Sequence, residues 1–184
     1  MFWILLILGV SLWAGAHLFK RLAPDQRASL GNRGKGMVAI ALAVSILLTI
    51  IGYRGTGFVN IWYPPSFLVH INNLLVLIAI YLMSPAAKKG LFLNKMRHPM
   101  LAGFKAWAVA HLLVNGDLAS ILLFGGLLAW AVVQVIVINR NEPDWIPGEP
   151  GTLAKDAIFV GASLVLLVVI GLIHGWLGVW PFTG

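Results

Sequence analysis

The stretch Arg97 to Asp117, RHPMLAGFKAWAVAHLLVNGD, places a lysine and a histidine inside a membrane-length apolar run and a second histidine at its mouth. Ionisable groups in hydrocarbon cost about 2.5–3.5 kcal/mol each on insertion scales, so they are rare and mark sites more often than plain spans. Lys105 and His111 are therefore candidate functional residues, together with Arg97 and His98 at the start of the run. His98 and Lys105 fall on nearly the same helix face, whereas His111 lies about 140° further round, with Phe104, Trp107 and Asn115 on its side. The first face is a cationic site suited to a carboxylate or phosphate. The second suits a flat aromatic cofactor held by a ligand imidazole, and also suits ordinary packing. Three more histidines, His17, His70 and His174, occupy other apolar runs. Asn73 is three residues after His70, and Asn115 is four after His111, so each pair shares a face. An asparagine carbonyl accepting the ring N–H would fix the tautomer that a metal-ligating histidine needs. His98 and His174 also read as interfacial anchors, and His17 beside Lys20 as a snorkelling end residue.

These residues are positioned by apolar segments. The chain of 184 residues is 60% hydrophobic and 10% charged, with mean hydropathy +0.91, against about 25% charged in soluble domains. The expected fold is an all-α integral membrane protein: one domain, 1–184, built as a bundle of six transmembrane helices. Runs long enough to cross a core of about 30 Å lie at about 2–19, 37–53, 66–83, 99–115, 118–138 and 156–178. Ser66 reads as the N-cap of the third, Pro99 opens the fourth, and Asn115-Gly116-Asp117 reads as a tight turn joining the fourth and fifth as a hairpin. The run Phe2 to Phe19 lacks a basic leader and reads as a retained helix rather than a signal peptide. Eleven Lys and Arg residues fall in loops on one side and only Arg54 on the other, so the positive-inside rule places both termini on the periplasmic side.

The formal charge of +7 does not indicate nucleic acid, because the cations sit in short loops between spans. The absence of cysteine excludes disulfides, thiolate ligands and covalent c-type haem attachment. Phosphate-binding loops, HExxH, GxSxG and paired helical carboxylates are also absent. Trp3, Trp62, Trp176 and Trp180 read as an aromatic belt, and Gly171 with Gly175 as a close-packing face. No internal repeat is apparent.

The run Arg97-His98-Pro99-Met100-Leu101-Ala102-Gly103, then Trp107, then Ala110-His111-Leu112-Leu113 and Asn115-Gly116-Asp117, resembles the signature of the NnrU family. Ala16-His17-Leu18 with its basic tail resembles that family's opening segment. The resemblance covers essentially the whole chain. It implies a multi-pass protein of the bacterial inner membrane linked to denitrification, that is, to nitrite and nitric oxide metabolism, with other membrane proteins of that process as possible partners beside the lipid bilayer. A plastid relative, 15-cis-zeta-carotene isomerase, uses haem b, and its proposed ligands map by motif to His17 and His111; its cysteine falls at Ala108. The resemblance thus implies haem b, with His111 and His17 as metal ligands and Trp107 alongside. Predicted depth in the membrane makes His70 an alternative partner for His111. Arg97, Lys105 or Arg54 would meet the propionates. The implied activities are redox sensing, electron transfer or an isomerase-like reaction; a non-catalytic assembly or maturation factor is the alternative. RHPMLAG also resembles the Arg-His-Pro-x-Tyr-x-Gly segment of isoprenylcysteine carboxyl methyltransferases. Leu101 replaces the tyrosine and the paired glutamates are missing, which leaves a related fold and, as a lesser alternative, a cofactor site at Arg97 and His98.

Overall fold

The structure is a computed structural model that describes residues 1–182. Its regular elements are helical: α1 (Phe2–Leu22), α2 (Pro24–Ser29), α3 (Gly31–Gly55), α4 (Leu68–Met83), α5 (Ala86–Lys89), α6 (Pro99–Val114), α7 (Leu118–Ser120), α8 (Gly126–Asn141) and α9 (Leu153–Trp176). A π-helical turn, Ile121–Gly125, joins α7 to α8, so Leu118–Asn141 runs as one 24-residue rod. This rod, α1, α3 and α9 are long and apolar enough to cross a membrane. Only 11% of the α3 span and 11% of the α9 span is buried, which leaves their apolar side chains facing outward. A water-soluble fold does not expose apolar surface on that scale, so this is a multi-pass membrane protein. The helices α4 and α6 have 16 residues each, about 24 Å at 1.5 Å per residue.

Each predicted run is a helix, but the ends differ. The second extends back from residue 37 to Gly31 because Asn32, Arg33 and Lys35 form polar helical turns that hydropathy does not register. Ser66 is not a cap: α4 begins after Phe67 with no side-chain cap.

The chain forms two compact units. The first comprises residues 1–63 and 116–143, and the second Pro64–Asn115 with the segment from Asp144 onward. In the first, α1 packs antiparallel on α3 through glycines. A Cβ on Gly52 would lie 2.7 Å from the Leu6 Cα, and one on Gly9 would lie 2.7 Å from the Thr49 amide nitrogen. These contacts are with backbone, which cannot rotate away. Gly52→Leu is therefore expected to separate α1 from α3, at a cost above the about 1–3 kcal/mol of ordinary overpacking, and to be read as lost monodisperse protein in fluorescence-detected size exclusion. At one end of this unit the segment after α3 pairs with the start of α7: Ile61 N–H donates to the Gly116 carbonyl at 2.8 Å, and Leu118 N–H to the Val59 carbonyl at 2.8 Å.

In the second unit α4 and α6 are antiparallel. A Cβ on Gly103 would lie 2.7 Å from the Ala79 carbonyl oxygen. One amide orientation of Asn72 satisfies both its polar atoms, and in it Asn72 donates to the Ala110 carbonyl at 3.0 Å. Gly171 and Gly175 are indeed close-packed, but against Phe182 and Trp180 of the returning C-terminal segment rather than against another helix.

Candidate functional site

Two segments share a pattern that hydropathy alone does not reveal. Helix α1 carries Gly9-x-x-x-Trp13-Ala-Gly15-Ala-His17-Leu18, and α6 carries Gly103-x-x-x-Trp107-Ala-Val109-Ala-His111-Leu112. This overturns the expectation of no internal repeat. One copy lies in each unit, and equivalent residues do equivalent things. Gly9 and Gly103 are the buried points where each helix meets its neighbour. Gly15 and Val109, at the variable position, are both exposed, and both histidines are half-buried.

The ring geometry is the same in each copy. Nδ1 of His17 lies 2.9 Å from the Trp13 carbonyl, and Nδ1 of His111 lies 2.9 Å from the Trp107 carbonyl. A nitrogen facing a carbonyl must carry the proton, so each neutral imidazole keeps its lone pair on Nε2. Each ring also lies against the indole one turn earlier, with centroids 4.3 Å apart at 41° for Trp13–His17 and 5.0 Å apart at 52° for Trp107–His111. Trp130 adds a second indole 4.7 Å from His17, and Phe104 stands 5.1 Å from Trp107. His174 makes the same backbone bond, to Ile170 at 2.8 Å, so that bond alone is ordinary for a helical histidine. The tryptophan four residues back distinguishes His17 and His111.

The asparagines do not play the part expected of them. Asn115 donates to the His111 backbone carbonyl at 2.8 Å, not to the ring, and Asn73 donates to the Pro181 carbonyl at 3.0 Å rather than serving His70. The i−4 carbonyl is nearer to a helical ring nitrogen than any i+4 side chain. His70 itself is exposed. It stands two residues, about 200° around the helix, from Asn72, the residue that bonds to α6. His70 therefore lies on the face of α4 turned away from His111.

The cationic face predicted for the start of α6 divides. Arg97 lines a cavity of about 480 Å³ with Lys88, Asn94, Trp145 and Glu149. His98 is the backbone N-cap of α6 and its side chain makes no cap bond. Lys105 is half-buried further along α6 and does not line that cavity. Arg54 is exposed in the last turn of α3.

Two polar networks were not read from the sequence. Asp156, only 1% exposed, accepts from the Tyr81 hydroxyl at 2.6 Å and from the Leu91 and Phe92 amides at 2.6 and 3.3 Å. It sits in the first turn of α9, where the helix dipole also favours a negative charge. At the far end of the first unit, Asp117 accepts from the Ser120 amide and hydroxyl at 2.9 and 2.6 Å, and Ser120 Oγ lies 2.8 Å from the Tyr53 hydroxyl. Asp156 lay at the predicted helix boundary, where burial cannot be read. Asp117 followed by Ser120 is a capping pattern that was legible as such.

The described residues contain no cluster of three or more His, Cys, Asp or Glu that could hold a bare metal ion. Iron already carried by a porphyrin needs only axial ligands, and each of these imidazoles, taken by itself, has a fixed tautomer with its lone pair on Nε2 beside a flat indole, the kind of group that serves as one.

Fold and site together define a multi-pass helical membrane protein with a Trp–His turn repeated in two of its helices. The chain belongs to the NnrU family, whose model (NnrU protein) matches residues 5–181 and so spans both units. No curated protein and no solved structure matches it.

Proposed function

We propose that the protein binds haem b in the bacterial inner membrane, where His111 and His17 would hold its iron, and serves nitrite and nitric oxide metabolism as a redox-sensing, electron-transferring or isomerase-like component. The observation that carries this reading is the repeated Trp–His turn with its identical 2.9 Å bond from Nδ1 to the tryptophan carbonyl. That bond holds each imidazole in the tautomer that offers Nε2, and raises its basicity toward iron. Trp13, Trp107 and Trp130 stand against the rings and present flat apolar faces. Bound haem would supply one-electron or double-bond-isomerising chemistry. Topology completes the proposal: α4 and α6 cross together with the four longer spans, giving six, and both termini face the periplasm because the Lys- and Arg-rich loops lie on the opposite side.

A second reading, a membrane factor that supports assembly of denitrification enzymes without catalysis, is favoured by the exposed segment between α8 and α9, where Ile146 is 86% exposed. The two readings separate in cells. In a strain lacking the protein and showing reduced nitrite or nitric oxide reductase activity, His17→Ala and His111→Ala variants at normal membrane levels are expected to restore less than about a tenth of that activity. Full restoration by both would establish the assembly reading instead.

A further inference from the structure

We propose that the cavity formed by the end of α1, by α2 and by the start of α3 is a binding site for a phosphate group, carried by an anionic phospholipid or by a soluble phosphate ester. The cavity measures about 320 Å³ and is lined by Lys20, Arg21, Arg27 and Lys35, with His17 and two apolar residues completing the wall. That volume falls within the range of about 300–1,000 Å³ that holds small ligands. No acidic residue lines it. Arg21 is paired to Glu142 at 2.9 Å, but Lys20, Arg27 and Lys35 have no carboxylate partner among the described residues. Three uncompensated cations around one cavity repel one another, and a bound anion offsets that repulsion.

The cluster is built rather than merely gathered. Arg27 Nη1 donates to the Gly31 carbonyl at 3.2 Å, and Gly31 itself has a positive φ of 50°. The guanidinium lies across Gly34, where a Cβ would come within 2.6 Å of Nη1. The Arg21 backbone is held as well, its carbonyl accepting from Asn141 at 3.4 Å. Two arginines and two lysines on three elements match a tetrahedral anion with several acceptor oxygens, since arginine supplies paired donors and lysine a compact charge. The cavity also lies at the Lys- and Arg-rich end of α1 and α3, the end at which anionic headgroups gather. Because the wall includes His17, which also belongs to the proposed haem site, phosphate affinity and haem content are scored separately.

The test uses the full-length protein in neutral detergent, titrated with phosphatidylglycerol, phosphatidylcholine, inorganic phosphate and glycerol 3-phosphate, and read by native mass spectrometry and thermal shift. Phosphatidylglycerol is expected to bind and phosphatidylcholine not to. Binding of the soluble phosphates as well would support the site and identify an ester as its ligand; binding of the lipid alone would support it and identify a headgroup. Arg27→Gln/Lys35→Gln is expected to weaken the anionic probe by about tenfold, while the charge-matched Lys89→Gln/Lys155→Gln leaves it unchanged. Gly34→Ala keeps every charge but displaces Arg27, and is expected to weaken binding by about threefold. Equal losses in the two double variants, full affinity in Gly34→Ala, or failure of every anionic probe to bind would each overturn the proposal. So would a variant at Arg27 and Lys35 that loses haem while keeping its phosphatidylglycerol affinity, since those cations would then serve the haem carboxylates.

Discussion

Replacing Asp156 with alanine is expected to cut the yield of folded protein by about fivefold or more. From α9 the Asp156 carboxylate gathers three donors from two other parts of the second unit: the Tyr81 hydroxyl on α4, and the Leu91 and Phe92 amides after α5. Removing it leaves two backbone N–H groups without their acceptor and a tyrosine hydroxyl without a partner. Losing one side of a buried hydrogen-bond group costs more than losing both. Asp156→Asn is expected to fall between wild type and alanine, because an amide keeps one acceptor but turns a donor toward a donor. Tyr81→Phe is expected to be milder still, since both amide bonds remain. Monodisperse yield and thermal midpoint in one detergent rank the three. Equal behaviour of Asp156→Ala and Tyr81→Phe would show that the amide bonds contribute nothing.

The second large effect concerns the two histidines proposed to hold haem. His111→Ala and His17→Ala are each expected to lower retained haem by about tenfold, or to convert the remainder from six-coordinate low-spin to five-coordinate high-spin iron. The two variants should behave alike, because the two turns are alike. His70→Ala is expected to change neither haem content nor spin state, since His70 is exposed and lies on the face of α4 turned from α6. Trp107→Leu keeps the backbone carbonyl that His111 uses, so it is expected to shift the spectrum with less loss of haem than His111→Ala. A His70→Ala variant with the defect expected of His17→Ala would reassign the second ligand.

The helices were legible because hydropathy directly reports the spans, which lie in lipid. Their ends were not. Charged turns such as Asn32 to Lys35 remain helical beyond the apolar run, and Phe67 precedes α4 without a capping side chain. His17, His111 and Trp107 were legible as candidates because an ionisable ring in an apolar run is costly. The ring of His111 is expected from sequence to bond Asn115, and that of His70 to bond Asn73, because each pair shares a helix face; the His111 ring instead meets the nearer i−4 carbonyl of Trp107, and Asn73 turns to the Pro181 carbonyl. The repeated turn was in plain view in Trp13–Leu18 and Trp107–Leu112, but it is short and its copies lie far apart in the chain. Asp156 could not be found from sequence, since its partners Tyr81 and Leu91 lie 75 and 65 residues away. The cationic cavity was hidden for a similar reason. In the sequence Lys20, Arg21, Arg27 and Lys35 read only as a topological signal, and the fold is what places them around one volume.

The most direct test is the absorption spectrum of the detergent-purified protein, oxidised and reduced, after expression with ample haem supply. Haem b ligated by two imidazoles predicts a Soret band, sharp low-spin α and β bands on reduction, and a loss or high-spin conversion of both in His111→Ala. A protein of normal yield with no Soret band, or a spectrum that His111→Ala and His17→Ala leave unchanged, would contradict it.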